Sequence, residues 1–312
     1  MIRKIVLMVL VVGAIVLIIL STHSKYCISR PTNIQTTNHH QRYRTLDQMR
    51  YILYGESKEF SLYDPHLLDY IRTFISLPSP TRPRKLARRK ITDNSQIGQS
   101  ALVDKILSGR RNGFFVECGA ADGTVVSNSL FFEVERNWTG LLIEANPYYH
   151  RELLEKNRNA FVLRACLSTE PRPMSVKLLP AGVLGGIGSK MHPSHIERIG
   201  ASKKPEVVVN CFPLNSIMEA LEVSHVDYLS LDVEGPELEI LQTVDWSRLR
   251  VDVITVEYAI CGHAQSGLNV AATLNKLGNI RKLFSDTGVY REVTVLKPGS
   301  DTKGQDVVFS RI

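Results

Sequence analysis

Five cysteines in 312 residues are too few for a disulfide framework. Their odd number leaves at least one thiol unpaired, or shared with another chain, in an oxidising compartment. No internal repeat of useful period runs through the chain. A metal site is not indicated, because His192 and His195 stand three apart with no Asp or Cys close by in sequence. Basic charge is missing where a nucleic-acid binder would need it. Residues 1–111 carry 18 Lys and Arg against 7 Asp and Glu, whereas residues 112–312 carry 20 against 24. The net charge of +7 therefore belongs to the front of the chain, and no nucleic-acid partner is expected for an acidic body.

What stands at the front is apolar. Ile5–Leu20 reads IVLMVLVVGAIVLIIL, 16 residues without a charge, just short of the ~17 that a bilayer-spanning helix needs. Ser21 and Thr22 can extend it at the interface. A secretory signal peptide is the rival reading, with a weak cleavage site at Thr22-His23-Ser24. The length of the run and its density in Val, Ile and Leu favour an uncleaved signal anchor over residues 5–22. The short head, residues 1–4, is then cytosolic and the body lies in the lumen or outside, as in a single-pass type II membrane protein. The sequon Asn137-Trp138-Thr139 agrees with that side. Residues 23–94 read as a polar stem and linker, with short helices between Tyr51 and Ile75. LPSPTRPRKLARRK, Leu77 to Lys90, reads as exposed extended chain, with a protease-processing site at Arg88-Arg89 as the sharper alternative.

From Gly113 the texture changes. Apolar runs at Phe114–Cys118, Gly140–Ile143, Phe161–Cys166, Tyr228–Leu231 and Val251–Val256 predict five strands. Helical segments separate them at Ser129–Arg136, Pro147–Asn157, Asn215–Leu221 (with Asn215 as cap) and Pro236–Val244. Leu268–Leu277 predicts a further helix, stopped by Gly278. Met174–Leu179 and Val207–Phe212 bracket a glycine-rich excursion, and two β-like runs close the chain near Tyr290–Leu296 and Asp306–Ser310. Such alternation predicts an α/β domain over residues 95–312, a mainly parallel sheet covered on both faces. Sheets of this kind bind ligands beyond the C-terminal ends of their strands. Here those ends are acidic: Glu117 with Gly119, Asp122 and Gly123, then Glu144, then Asp232 and Glu234, then Glu257.

The stretch FFVECGAADG lacks the G-x-G-x-x-G of a dinucleotide site. An anionic pyrophosphate beside Glu117 and Asp122 would be repelled, whereas a sulfonium and an ammonium would be attracted. Glu144 stands about 20–25 residues after the glycine turn, where an acid accepts hydrogen bonds from ribose hydroxyls; its plainer reading is a cap for the helix after Pro147. The acidic edge favours S-adenosylmethionine over NAD.

The blocks FFVECGAADGTVVSNSLFFEVERNWTGLLIEANP, RACLS, NCFPL, VDYLSLDVEGPELEIL and ITVEY, in that order, resemble the FkbM-type methyltransferase domain. The nearest likeness is to its animal Star-like branch, which the apolar anchor and DPHLLDYIR (Asp64–Arg72) also fit. The resemblance implies a Rossmann-like methyltransferase fold with a final antiparallel strand. It implies that Glu117, Gly119, Asp122 and Gly123 line the methionine side of the cofactor, that Glu144 holds the ribose, and that the segment around Ser168 flanks the adenine. Asp232 and Glu234 would face the methyl acceptor. Where bacterial members carry Asp-x-Gly-Ala-Asn, this chain has Glu-Cys-Gly-Ala-Ala-Asp-Gly. The resemblance further implies residence in the endoplasmic reticulum, Golgi, endosome or plasma membrane. It also supplies a competing, non-catalytic role: moving membrane-bound growth-factor precursors as cargo.

For an enzyme, the acceptor expected is a hydroxyl, with Asp232 first and Glu234 second as its base; His263, beyond the fifth strand, reads better as an ordinary loop histidine. Cys166 and Cys211, at the ends of two neighbouring runs, are a candidate disulfide, and Cys118 a buried inert thiol.

Overall fold

A computed structural model describes residues 61–86, 93–200, 205–260, 267–296 and 306–312. The head at 1–4, the anchor at 5–22, the stem up to residue 60, Arg88-Arg89, Cys27, Cys261 and His263 lie outside the described residues. Among those described, no helix is long and apolar enough to cross a membrane.

In chain order, helix α1 (Pro65–Arg72) and strand β1 (Ile75–Ser76) precede α2 (Gln99–Ile106). Then β2 (Phe114–Cys118), α3 (Leu130–Arg136), β3 (Thr139–Ile143), α4 (Pro147–Lys156) and β4 (Phe161–Leu163) alternate. An excursion follows: β5 (Cys166–Leu167), β6 (Met174–Leu179), β7 (Gly186–Ile187), α5 (Pro193–Arg198) and β8 (Val207–Phe212). Alternation resumes with α6 (Leu214–Ala220), β9 (His225–Leu231), α7 (Glu237–Gln242), β10 (Arg250–Glu257) and α8 (Val270–Thr287), and ends in β11 (Tyr290–Leu296) and β12 (Asp306–Arg311).

The main sheet has the order β1-β4-β3-β2-β9-β10-β12-β11. Strands β4, β3, β2, β9 and β10 are parallel. Strand β12 slots antiparallel between β10 and β11, so the sheet is Rossmann-like with an antiparallel edge. The order reverses between β2 and β9, and a ligand crevice belongs at such a switch point. Every residue of β2 is buried, because helices cover both faces. Phe114, Val116 and Cys118 face one core, shared with Ile217 of α6, Leu241 of α7 and Phe284 of α8. Phe115 faces the other, shared with Val103 of α2, Phe132 of α3 and Leu153 of α4. That is the two-residue period of a strand read out as two cores.

Four readings of the sequence are corrected in detail. The third strand stops at Leu163, and Cys166 belongs to a second sheet, β5-β8-β6-β7. There it lies opposite Cys211 and is joined to it by a disulfide. Asn215 does not cap α6; its side chain accepts from Asp245 N at 2.9 Å and donates to Asp245 O at 3.1 Å. Gly278 does not stop α8. It lies on the exposed face, and the buried stripe Thr273, Leu277, Ile280 and Phe284 carries the helix through to a left-handed Gly288. A glycine there costs about 1 kcal/mol relative to Ala, less than the burial of that stripe contributes. Finally, part of the presumed stem joins the body: β1 pairs with β4, and Arg72 Nε of α1 donates to Ala220 O at 2.9 Å.

Candidate functional site

The small residues after β2 are small because three segments meet there. A Cβ on Gly119 (φ +83°) would sit 1.9 Å from the Asp232 carbonyl oxygen. One on Gly123 (φ +75°) would sit 2.2 Å from Leu153 Cδ1 of α4. Both glycines therefore serve the packing of the chain on itself, whatever binds beside them. Between them Ala121 also takes a positive φ of 45°, which turns its N–H toward Glu144 Oε2 at 2.8 Å.

Beyond the strand ends lies a cavity of about 170 Å³, against the roughly 10–15 Å³ that one water requires. It runs along the sheet edge from Ala165–Leu167, past Glu144, to Ser230, Asp232 and Glu234, with Val183 and Leu184 of the excursion as its outer wall. Among the described residues, four acids line it and no Lys or Arg does.

The structure brings Glu117, Gly119, Glu144, Asp232 and Glu234 to this cavity and leaves Asp122, Gly123 and Ser168 outside its lining. Glu117 is buried and spends its carboxylate on its own loop, accepting from Ser127 Oγ at 2.8 Å, Asn128 N at 2.7 Å and Ser129 Oγ. Asp122 loses some acidity to burial, but the N–H groups of Val125 and Thr124, the Thr124 hydroxyl and Lys156 outweigh that and hold it down to about 2. It is an Asx-type turn former. The Ser168 hydroxyl donates to Arg172 O at 2.7 Å. Glu144 does not cap α4; Asn146 does, accepting from Tyr148 N at 3.0 Å. Glu144 instead accepts from Asn146 N at 2.7 Å with its other oxygen, and burial pushes it up to about 7.

At the far end, Asp232, Glu234 and Glu257 hold carboxylate oxygens within 4.8 Å of one another. Burial raises all three, and nearby carboxylates add to it: Asp306 and Glu237 act on Asp232, Asp232 and Glu237 on Glu234, and Asp232 and Glu234 on Glu257. The neighbouring Glu257 acts the other way on Asp232, favouring its ionised form. Glu234 sits at φ +63°, with His195 Nδ1 at 3.5 Å from its Oε2. Behind them Glu237 takes the Lys276 ammonium and the N–H groups of Val233 (3.0 Å) and Gly235 (3.1 Å). The three clustered carboxylates have the oxygen donors that a hard divalent cation takes. The other such trio among the described residues, His225, Asp227 and Asp252, lies at the opposite ends of the strands, where Arg110 and Arg250 already neutralise it.

Sequence reasoning missed Asn128 and the role of Glu257. Glu257 carried the same signal as its neighbours, an acid at a strand end. Asn128 carried none: it is one polar residue in Ser-Asn-Ser.

A model of the methyltransferase FkbM domain matches residues 117–288. No curated protein matches the chain. Among solved structures, a precorrin-6y C5,15-methyltransferase from Geobacter metallireducens is 15% identical, with 75% of this chain and 97% of that one covered and a TM-score of 0.35. A TehB-like SAM-dependent methyltransferase from Corynebacterium glutamicum is 10% identical, with 70% and 90% covered and a TM-score of 0.35. A methyltransferase from Pyrococcus furiosus is 12% identical, with 67% and 80% covered and a TM-score of 0.33. At such distances these three carry no weight on substrate or mechanism.

Proposed function

Because this chain belongs to the FkbM methyltransferase domain family, we propose that its cavity binds S-adenosylmethionine and that the acid edge beside it serves transfer of the methyl group to a hydroxyl acceptor. The carrying observation is the lining: among the described residues, four acids and no Lys or Arg surround one crevice at the switch point. A ligand that brings a sulfonium, an ammonium and a ribose fits that lining, and a pyrophosphate does not. Bound S-adenosylmethionine supplies an electrophilic methyl on a positively charged sulfur. The protein's own contributions are separable. Glu144, ionised, accepts hydrogen bonds from the ribose hydroxyls on the lone pairs that Ala121 and Asn146 leave free. Ala165–Leu167 wall the side beyond it. Asp232, at the end of β9 and beside Glu257, would take the proton of the acceptor hydroxyl. Glu234 holds the acceptor or substitutes as base. Positioning of two reactants in line supplies much of the remaining acceleration.

The finer placement rests on sequence alone. The apolar run at 5–22 anchors the chain in a secretory-pathway membrane with the body luminal, and the branch likeness is to the Star-like proteins. The cargo reading, transport of growth-factor precursors, makes a different demand: cofactor binding should be dispensable for it.

The test is calorimetric titration of the purified full-length protein with S-adenosylmethionine and S-adenosylhomocysteine. Micromolar binding supports the reading, and no binding at millimolar ligand overturns it. Cell export of a membrane-bound growth-factor precursor, measured beside it with Glu144→Ala, then separates the roles. Export that survives loss of binding assigns transport to a non-catalytic surface.

A further inference from the structure

The amide of Asn128 is the one polar side chain in the cavity lining whose buried oxygen has no partner among the described residues. The residue is 6% exposed. Every other group on it is engaged. Its Nδ2 donates to Ser230 Oγ at 2.9 Å, its N–H to Glu117 Oε1 at 2.7 Å, and its carbonyl accepts from Ser100 Oγ at 3.0 Å. An amide so fixed at both ends, with Oδ1 left over, is an acceptor waiting for a donor; leaving it bare is costly.

Which donor follows from the sheet order. Glu144 ends β3. On its β4 side the cavity continues to Ala165–Leu167, and on its other side it crosses β2 to reach Asn128 and Ser230 at β9. A nucleoside whose ribose sits on Glu144 and whose base lies along Ala165–Leu167 must send its 5′ substituent across β2, toward Asn128. In S-adenosylmethionine that substituent ends in an amino acid, and its ammonium is the strongest donor there. Glu117 and Asp122 do not compete for it. The first already accepts from Ser127, Asn128 and Ser129, and the second lies outside the lining.

We propose that Asn128 Oδ1 is the acceptor for the α-ammonium of the cofactor's methionine portion, held in place by Ser230 and Glu117. This inference rests on the cofactor reading above. It assigns the amino-acid end of the site to a neutral amide rather than to the acids of the glycine turn.

The experiment compares two probes on three proteins. S-Adenosylhomocysteine carries the amino acid; 5′-methylthioadenosine has the same nucleoside and lacks it. Affinities are measured by calorimetry on full-length wild type, Asn128→Ala and Asn128→Asp. Loss of a hydrogen bond to a charged group should weaken S-adenosylhomocysteine by roughly ten- to a hundred-fold in Asn128→Ala, with 5′-methylthioadenosine unchanged. Asn128→Asp keeps an acceptor and adds charge, so it should bind S-adenosylhomocysteine at least as tightly as wild type. Unchanged 5′-methylthioadenosine binding also certifies that the variants fold. If Asn128→Ala binds S-adenosylhomocysteine like wild type, or loses both probes equally, the assignment falls while the cofactor reading stands. If wild type binds neither probe, the cofactor reading itself falls and takes the assignment with it.

Discussion

Arg158 is the side chain to remove first. Both it and Glu133 are fully buried, and Arg158 Nε donates to Glu133 Oε2 at 2.6 Å. Its remaining donors reach Gly123 O at 2.6 Å, Ser127 Oγ at 3.1 Å and Ser129 Oγ at 3.0 Å. The guanidinium thus ties α3 to the loop whose serines hold Glu117. Arg158→Met keeps the length and removes the charge. Glu133 is left with Asn159 N at 2.9 Å and a half-exposed Arg84 at 3.9 Å, too distant to replace what was lost. Breaking a buried pair from one side costs about 3–5 kcal/mol. At ~2–4 °C per kcal/mol for a domain of this size, the melting temperature should fall by roughly 6–20 °C. Pairing it with Glu133→Leu removes the stranded charge, and the double variant should recover most of the loss. Thermal and denaturant unfolding of all three variants against wild type measures the cycle. A loss under about 1 kcal/mol for Arg158→Met, or a double variant no more stable than the single one, would refute the reasoning.

Glu144, pushed up to about 7 by burial, keeps in the folded protein a proton that the unfolded chain releases near 4.3. Its contribution to stability of the ligand-free protein is therefore present at low pH and lost as pH rises to about 7. Affinity for S-adenosylhomocysteine should run the other way, tightening about tenfold from pH 6 to pH 8 as the carboxylate forms; calorimetry on Glu144→Gln should show weaker binding and a flat profile. Asp232→Asn should bind the same ligand within about threefold of wild type yet transfer no tritiated methyl to a cell extract offered as acceptor source. Cys211→Ser opens a bridge spanning 45 residues and should cost up to about 4 kcal/mol in the chain-entropy model, read by denaturant titration. Gly119→Ala places a methyl 1.9 Å from a backbone oxygen, and soluble expression with wild-type circular dichroism would contradict that packing.

The alternation of strands and helices was legible because each apolar run is short and bounded by polar turns, and the acidic strand ends named Glu144, Asp232 and Glu234 directly. Cys166 and Cys211 were also readable as neighbours, although Cys166 opens a strand of the second sheet rather than closing one of the first. What escaped were contacts made at long range. Asn215 has the chemistry of a helix cap, and only the distant Asp245 backbone shows where its hydrogen bonds go. Gly278 has the chemistry of a helix stop, overridden by the buried stripe on the other face of α8. Asp122 reads as a ligand acid until Thr124, Val125 and Lys156 are seen to consume it. Asn128 becomes visible only when its three satisfied groups are counted and the fourth is found bare.

The contact between Gly119 and the Asp232 carbonyl has a mechanical meaning. The turn after β2 and the turn after β9, which holds the proposed proton acceptor, press on each other through main chain alone, with no side chain between them. The two halves of the crevice are thus a single casting: a shove on one is delivered to the other without a relay of rotamers. Their alignment is consequently insensitive to most side-chain exchanges around the crevice, and it hangs on the absence of one methyl group.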